Sequence, residues 1–260
     1  MKRLLTGILL GALTLGTLWA GGYWWVGFLV VVLRVAASEW ARLGGSYERV
    51  VALVVLLGFL LVAADLLLFL PLLLFIPLAV LLFCNSPRVA GQFNWLASAL
   101  LWLSFPAYFL LDLRRGMEIS NDFISGIWLV GLLLGATIIQ NSMEYYVGLS
   151  LGERSTFFNK LSPNKSTAGY LGGLTGVLAV FAFAVFMGVF PYELAIILVL
   201  GVGTAGPAGD LLMSAFKREQ DLDDTGNILP GHGGILDRID SLLANTVVFY
   251  LILNISRYLG

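Results

Sequence analysis

Long runs of apolar residues with almost no charge decide what this chain can become. Leu4–Ala20, Tyr23–Ala37, Val50–Leu66, Leu67–Cys84, Asn94–Leu111, Phe123–Gln140, Ala168–Phe190, Tyr192–Gly209 and Leu242–Tyr258 each come near the ~20 residues that cross a bilayer as a helix. Helix is the form such a run takes in lipid, where every backbone N–H and C=O has to find its partner inside the segment. Only 12% of the 260 residues are charged, about half the share usual in a soluble domain. The expected fold is therefore all-α: a polytopic membrane protein with about nine transmembrane helices and two longer polar loops, 141–167 and 210–241. Residues 1–260 read as one membrane domain, with amino-terminal helices over 1–140 and both polar loops within 141–260.

Met1-Lys2-Arg3 ahead of an apolar run is also how a secretory signal begins. Here Leu4–Ala20 passes through Gly21-Gly22 into a second run without a small-residue cleavage site, so the two read as a helical hairpin. Trp19, Trp24, Trp25, Tyr145, Tyr146 and Tyr192 lie near span ends, where aromatic side chains settle at the membrane surface. With nine spans, Lys2, Arg3, Arg34, Arg42, Arg49, Arg88, Arg154, Lys160, Lys165, Lys217, Arg218 and Arg238 fall on one side, while Arg114 and Arg115 fall on the other. Basic residues mark the cytoplasmic face, which places the amino terminus and both polar loops there. A net charge of −1 leaves no basic stripe for a nucleic acid. The lone Cys84 reads as a packed thiol.

The charge that the chain does carry is concentrated. Gly209–Ser241 holds about a third of all charged residues and the one histidine, His232, and charge at a membrane boundary is costly enough to mark a site. Thr204-Ala-Gly-Pro-Ala-Gly209 reads as a break in the preceding span, and irregular backbone at that depth survives only beside protein or a water-filled cavity. Asp210, Ser214 and Lys217 follow at helical intervals, so a carboxylate, a hydroxyl and an ammonium share one face with Arg218 beside them. The carboxylate suits a divalent cation, and the other groups suit phosphate oxygens. Gly226 and Pro230-Gly-His-Gly-Gly234 read as a turn of exposed amides able to cradle an anion. A short helix then carries Asp237, Arg238 and Asp240; if it runs antiparallel to the first, Asp210 and Asp237 converge at the membrane boundary. Paired carboxylates, basic side chains and a Gly-rich turn suit metal-assisted phosphoryl or nucleotidyl transfer. Taken singly, each has a plainer reading. Asp221, Asp223 and Asp224 would be a solvated acidic loop, His232 a hydrogen-bonded turn residue, Asp237 with Arg238 a structural ion pair, and Asp240 or Ser241 a helix cap.

Ser214-Ala-Phe-Lys217-Arg218, then Asp223-Asp224-Thr-Gly226, then Leu229-Pro-Gly-His-Gly-Gly-Ile-Leu-Asp-Arg-Ile-Asp240 resembles the signature of the phosphatidate cytidylyltransferases, also called CDP-diacylglycerol synthases. Ser162-Pro-Asn-Lys165-Ser, with Gly169 and Gly172-Gly173, is similar to a second loop of that family, and Glu39-Trp-Ala-Arg42 fits it too. The resemblance implies a multi-helix, dimeric enzyme of phospholipid synthesis, in a bacterial inner membrane. It would join CTP to phosphatidic acid drawn from the membrane lipids, release pyrophosphate and yield CDP-diacylglycerol, using Mg²⁺ as one or two ions. It makes Asp210 and Asp237 the metal ligands. Ser214, Lys217, Arg218, Asp224, His232 and Arg238 become the catalytic groups that arrange nucleotide and phosphates, and Ser162 and Lys165 bring a second loop to the same site.

The chain departs from the family pattern at Asp223, where Lys is usual, at Met213 and Ala168, where Glu is usual, and at Asn141, where Asp is usual. Together these point to a divergent paralogue with altered substrate preference or reduced activity. Other readings stay open: a CTP-dependent polyprenol kinase, which would release CDP, and an inactive relative. From another class comes an ion-coupled transporter, since broken helices bearing acids also build ion pathways.

Overall fold

The computed structural model describes residues 2–45, 47–66, 75, 89–119, 122–151, 162, 165–229 and 233–259. Their helices are α1 (Lys2–Ala20), α2 (Gly22–Leu43), α3 (Glu48–Ala63), α4 (Val89–Ala99), α5 (Phe105–Arg115), α6 (Gly126–Leu151), α7 (Thr167–Phe186), α8 (Tyr192–Glu219) and α9 (Leu236–Leu259). The architecture is all-helical, as the apolar runs require. A π-helical turn, Leu100–Ser104, joins α4 to α5. The strands β1 (Met117–Ile119) and β2 (Asp122–Ile124) add a small antiparallel hairpin with Glu118 opposite Phe123. This hairpin is a departure from a purely helical chain. Gly116 turns the backbone out of α5 at φ 90°, and Met117, Ile119 and Ile124 are buried on one face while the paired Glu118 and Phe123 are exposed on the other, the two-residue alternation of a strand.

Val89–Arg115, Gly126–Leu151, Thr167–Phe186, Tyr192–Glu219 and Leu236–Arg257 are long and apolar enough to cross a bilayer, and Thr6–Ala20 is a shorter apolar helix. Ile138, Leu178, Phe183, Ile197 and Leu200 stay exposed on these helices; such a surface suits lipid rather than water. Apart from Phe75, the expected span Leu67–Cys84 lies outside the described residues, as do Arg88, Arg154 and Lys160.

The chain forms two compact units, Met1–Asp112 with Gln220–Arg238, and Leu113–Glu219 with Ile239–Gly260. In the first, α2 buries Trp25, Leu29, Leu33, Ala36 and Trp40, one stripe at helical spacing. Trp40 and Trp95 stack with centroids 5.1 Å apart, and each indole N–H donates to the other's backbone carbonyl, at 3.2 and 2.8 Å. The Ser104 hydroxyl donates to the Val55 carbonyl at 2.9 Å. The helix expected to end at Ala37 continues to Leu43 and so carries Glu39 into the unit's interior.

The second unit packs α6, α7 and α8 closely. Gly172, Gly173 and Gly176 make this contact: a Cβ at Gly172 would lie 2.7 Å from Val147, and one at Gly176 2.9 Å from Ile139, the close approach small residues permit between membrane helices. Phe181 stacks on Phe249 at 6.1 Å, with Phe190 edge-on to Phe249 at 6.4 Å. α6 runs on to Leu151, so residues 141–151, expected to open a polar loop, are helical.

The sequence expectation of a broken span at Thr204–Gly209 is corrected. α8 is continuous from Tyr192 to Glu219 with Pro207 inside it. Proline has no N–H, so the carbonyl four residues earlier, on Gly203, loses its helical donor. Gln140 of α6 replaces it, donating from Nε2 to the Gly203 carbonyl at 2.9 Å. Asn245 of α9 braces that side chain, donating to Gln140 Oε1 at 3.2 Å and to Thr137 Oγ1 at 3.0 Å. Gln140 and Asn245 are both fully buried. Gln140→Leu should therefore lower stability by ~1–3 kcal/mol, the cost of a stranded buried acceptor. In detergent its unfolding midpoint falls, and adding Pro207→Ala, which restores the missing N–H, recovers part of the loss.

Candidate active site

In the first unit the polar segment is built around Glu39, which is fully buried. Its Oε1 accepts the Ile235 N–H at 2.9 Å and its Oε2 accepts the Leu236 N–H at 2.9 Å. The first amides of a helix have no partner within it, so Glu39 caps α9 from nearly two hundred residues upstream. The Thr225 hydroxyl lies 3.1 Å from Glu39 Oε2 and 2.9 Å from Asp237 Oδ2; its single hydrogen serves one carboxylate at a time. Asp237 Oδ2 also accepts the N–H groups of Thr225 at 2.9 Å and Gly234 at 3.0 Å.

The glycines of this segment are there for room. A Cβ at Gly226 would lie 2.7 Å from Glu39 Oε1, and one at Gly234 would collide with Thr225 Oγ1. Gly233, at φ +80°, has Asp224 and Asp237 as its borders: a Cβ there would lie 3.0 Å from Asp224 Oδ1 and 3.1 Å from Asp237 Oδ2. The Leu229 N–H donates to the Gly233 carbonyl at 3.1 Å. Pro230, Gly231 and His232, the middle of the expected anion-binding turn, lie outside the described residues. Arg238 follows on the first turn of α9 and is exposed.

In the second unit the cluster is formed by Lys165, Asp210 and Glu144. The Lys165 N–H donates to the Ser162 carbonyl at 3.3 Å, and the next residue, Ser166, caps α7 by accepting the Gly169 N–H at 3.0 Å. This turn sets the Lys165 ammonium on Asp210 Oδ2 and 3.4 Å from Glu144 Oε2. Burial pushes the lysine pKa down, but the Asp210 and Glu144 carboxylates outweigh it and hold the pKa above its ordinary value. Lys165 therefore stays charged at neutral pH. Ser214 and Lys217 follow Asp210 on successive turns of the same unbroken helix, with Ser214 buried and Arg218 exposed. Met213, at a position where the signature usually has a carboxylate, is fully buried.

Asp224 and Asp237 are thus gathered in the first unit, and Lys165 and Asp210 in the second. Among the described residues, no group of three or more His, Cys, Asp and Glu side chains is arranged to hold a metal on its own. The oxygen donors present fit Mg²⁺ all the same, because that ion takes one or two carboxylates and fills its remaining positions with water and substrate phosphate. Asp210 already carries a cation, the Lys165 ammonium. Sequence reasoning missed Glu144, which fell in a segment taken for a polar loop. Its signal was an acidic residue continuing the helical run of α6. Thr225 was seen only as part of a signature, and Glu39 had no role assigned.

Fold and side chains define the class: an all-helical integral membrane protein whose charged groups gather in compact clusters. A model of the cytidylyltransferase family matches residues 1–256. The chain belongs to that family. It is 33% identical over 268 residues to a phosphatidate cytidylyltransferase of Pseudomonas aeruginosa, covering 97% of this chain and 96% of the relative. A phosphatidate cytidylyltransferase of Brucella melitensis is 30% identical over 259 residues, covering 96% of this chain and 91% of the relative. One from Bacillus subtilis is 43% identical over 117 residues, but there the match spans 42% of the relative's length and 44% of this chain.

Glu39→Ala should strip the cap from α9 and the brace from Thr225, at a cost of about 2 kcal/mol or more. Hydrogen exchange measures it directly: the Ile235 and Leu236 amides lose protection, while those in the middle of α8 keep theirs.

Proposed function

We propose that this chain transfers a cytidylyl group from CTP to phosphatidic acid, giving CDP-diacylglycerol and pyrophosphate. The observation that carries the reading is kinship along nearly the whole chain with curated phosphatidate cytidylyltransferases. The carboxylate and ammonium clusters support it, because they supply the groups this chemistry needs. A phosphate oxygen of phosphatidic acid attacks the α-phosphorus of CTP in line. The bond to the β-phosphate oxygen breaks, and pyrophosphate leaves with the electron pair. No side-chain nucleophile is required. The chain contributes position and charge neutralisation.

When bound, Mg²⁺, as one ion or two, would neutralise charge on the reacting phosphates. Asp210 and Asp237 are its ligands in this reading, with Asp224 beside Asp237. Lys165, Lys217, Arg218 and Arg238 offset phosphate charge, Ser162 and Ser214 donate hydroxyls, and His232 belongs to the phosphate-binding turn. With the activity go the finer features of the resemblance: nine spans, both polar loops on the cytoplasmic side of a bacterial inner membrane, lipid entry from the bilayer, and a homodimer. Asp223 and Asn141 are exposed, and in this reading they and Ala168 tune substrate preference.

Purified protein given labelled CTP, Mg²⁺ and a panel of phosphatidic acids should release pyrophosphate and form labelled CDP-lipid. Release of CDP with phosphorylation of a lipid alcohol would contradict this. Asp210→Asn and Asp237→Asn should each lower the rate about a hundredfold or more, the several kcal/mol a metal supplies, without preventing membrane insertion. Full activity in either variant removes that residue from the site.

A further inference from the structure

Glu144 has no part in the reading above. Its side chain is 15% exposed; Oε2 lies 3.4 Å from the Lys165 ammonium, and Oε1 is buried without a hydrogen-bond partner among the described residues. α7 presses on it: a Cβ at Gly173 would lie 2.5 Å from Glu144 Cγ and 2.9 Å from Oε1. Leaving a buried carboxylate oxygen without a donor costs free energy. Beside it stands an ammonium with three donors on a flexible four-carbon stem, anchored to Asp210 Oδ2 and to the other oxygen of Glu144. An ammonium leaving Asp210 therefore has an acceptor next to the one it already touches.

We propose that Lys165 holds the place of a divalent cation on Asp210, and that Glu144 is the positioning residue onto which the ammonium retreats when that cation binds. This rests on Asp210 being a metal ligand. One cation replaces another on Asp210, Lys165 keeps its proton, and no bond to carbon or phosphorus changes. Before the ion arrives, Lys165 answers a carboxylate that would otherwise stand uncompensated near lipid. Afterwards the ammonium is paired with both oxygens of Glu144.

The test uses the full-length protein in detergent, with Mn²⁺ as the probe and its EPR signal as the readout. Lys165→Met should bind Mn²⁺ about fivefold more tightly, which is ~1 kcal/mol, the upper worth of a partly exposed ion pair. Equal or weaker binding overturns the exchange, and Lys165→Gln makes the same test should the Met variant aggregate. Glu144→Gln, which keeps the shape but weakens the acceptor, should bind Mn²⁺ more weakly, and that defect should vanish in the Lys165→Met background. A defect that persists there would mean that Glu144 acts on the ion through its own charge, which overturns the proposal. Asp210→Asn separates the two levels. Wild-type Mn²⁺ affinity in that variant refutes the metal reading itself. Lost affinity there, with Lys165→Met unchanged from wild type, refutes only the exchange.

Discussion

An unanswered charge or carbonyl in apolar surroundings costs on the order of a few kcal/mol, and a chain this poor in charge has few groups with which to answer one. Several of its polar groups are met by a segment distant in sequence. Gln140 serves the carbonyl that Pro207 strands on Gly203. Glu39 takes the amides that α9 leaves open at Ile235 and Leu236. Lys165 answers Asp210. Remove one member of such a pair and the other remains buried alone, so the polar pairs fix which apolar surfaces meet.

Function follows from the same constraint. Thr225 and Gly234 hold Asp237 through groups that reach one of its oxygens, Oδ2, so the carboxylate is oriented by the fold before any ligand arrives. Asp210 is instead held by a lysine on a flexible stem. One acid is fixed by hydrogen bonds and the other by an ammonium.

Much of the helical architecture was legible because hydropathy reports burial in lipid directly, and α7, α8 and α9 begin or end close to where their apolar runs do. What escaped was set by long-range contacts. Thr204–Gly209 reads as a break, since Gly and Pro disfavour helix locally; only a side chain from α6 makes the unbroken helix affordable. The extension of α2 past Ala37 was hidden by Glu39, which looks like a surface residue until its partners on the far segment are known. The β hairpin is too short for alternation to announce it. At the site, the signature residues were recognisable by spacing, but Glu144 was not, because its meaning depends on Lys165 across a turn.

The claim on which the proposed chemistry turns is that Asp210 and Asp237 each take part in holding a divalent cation, whether one ion binds or two. Counting bound Mn²⁺ by EPR in the wild type and in Asp210→Asn and Asp237→Asn tests it most directly. Each variant should hold fewer ions, or hold them more weakly, than the wild type. Wild-type stoichiometry and affinity in both variants would contradict the claim.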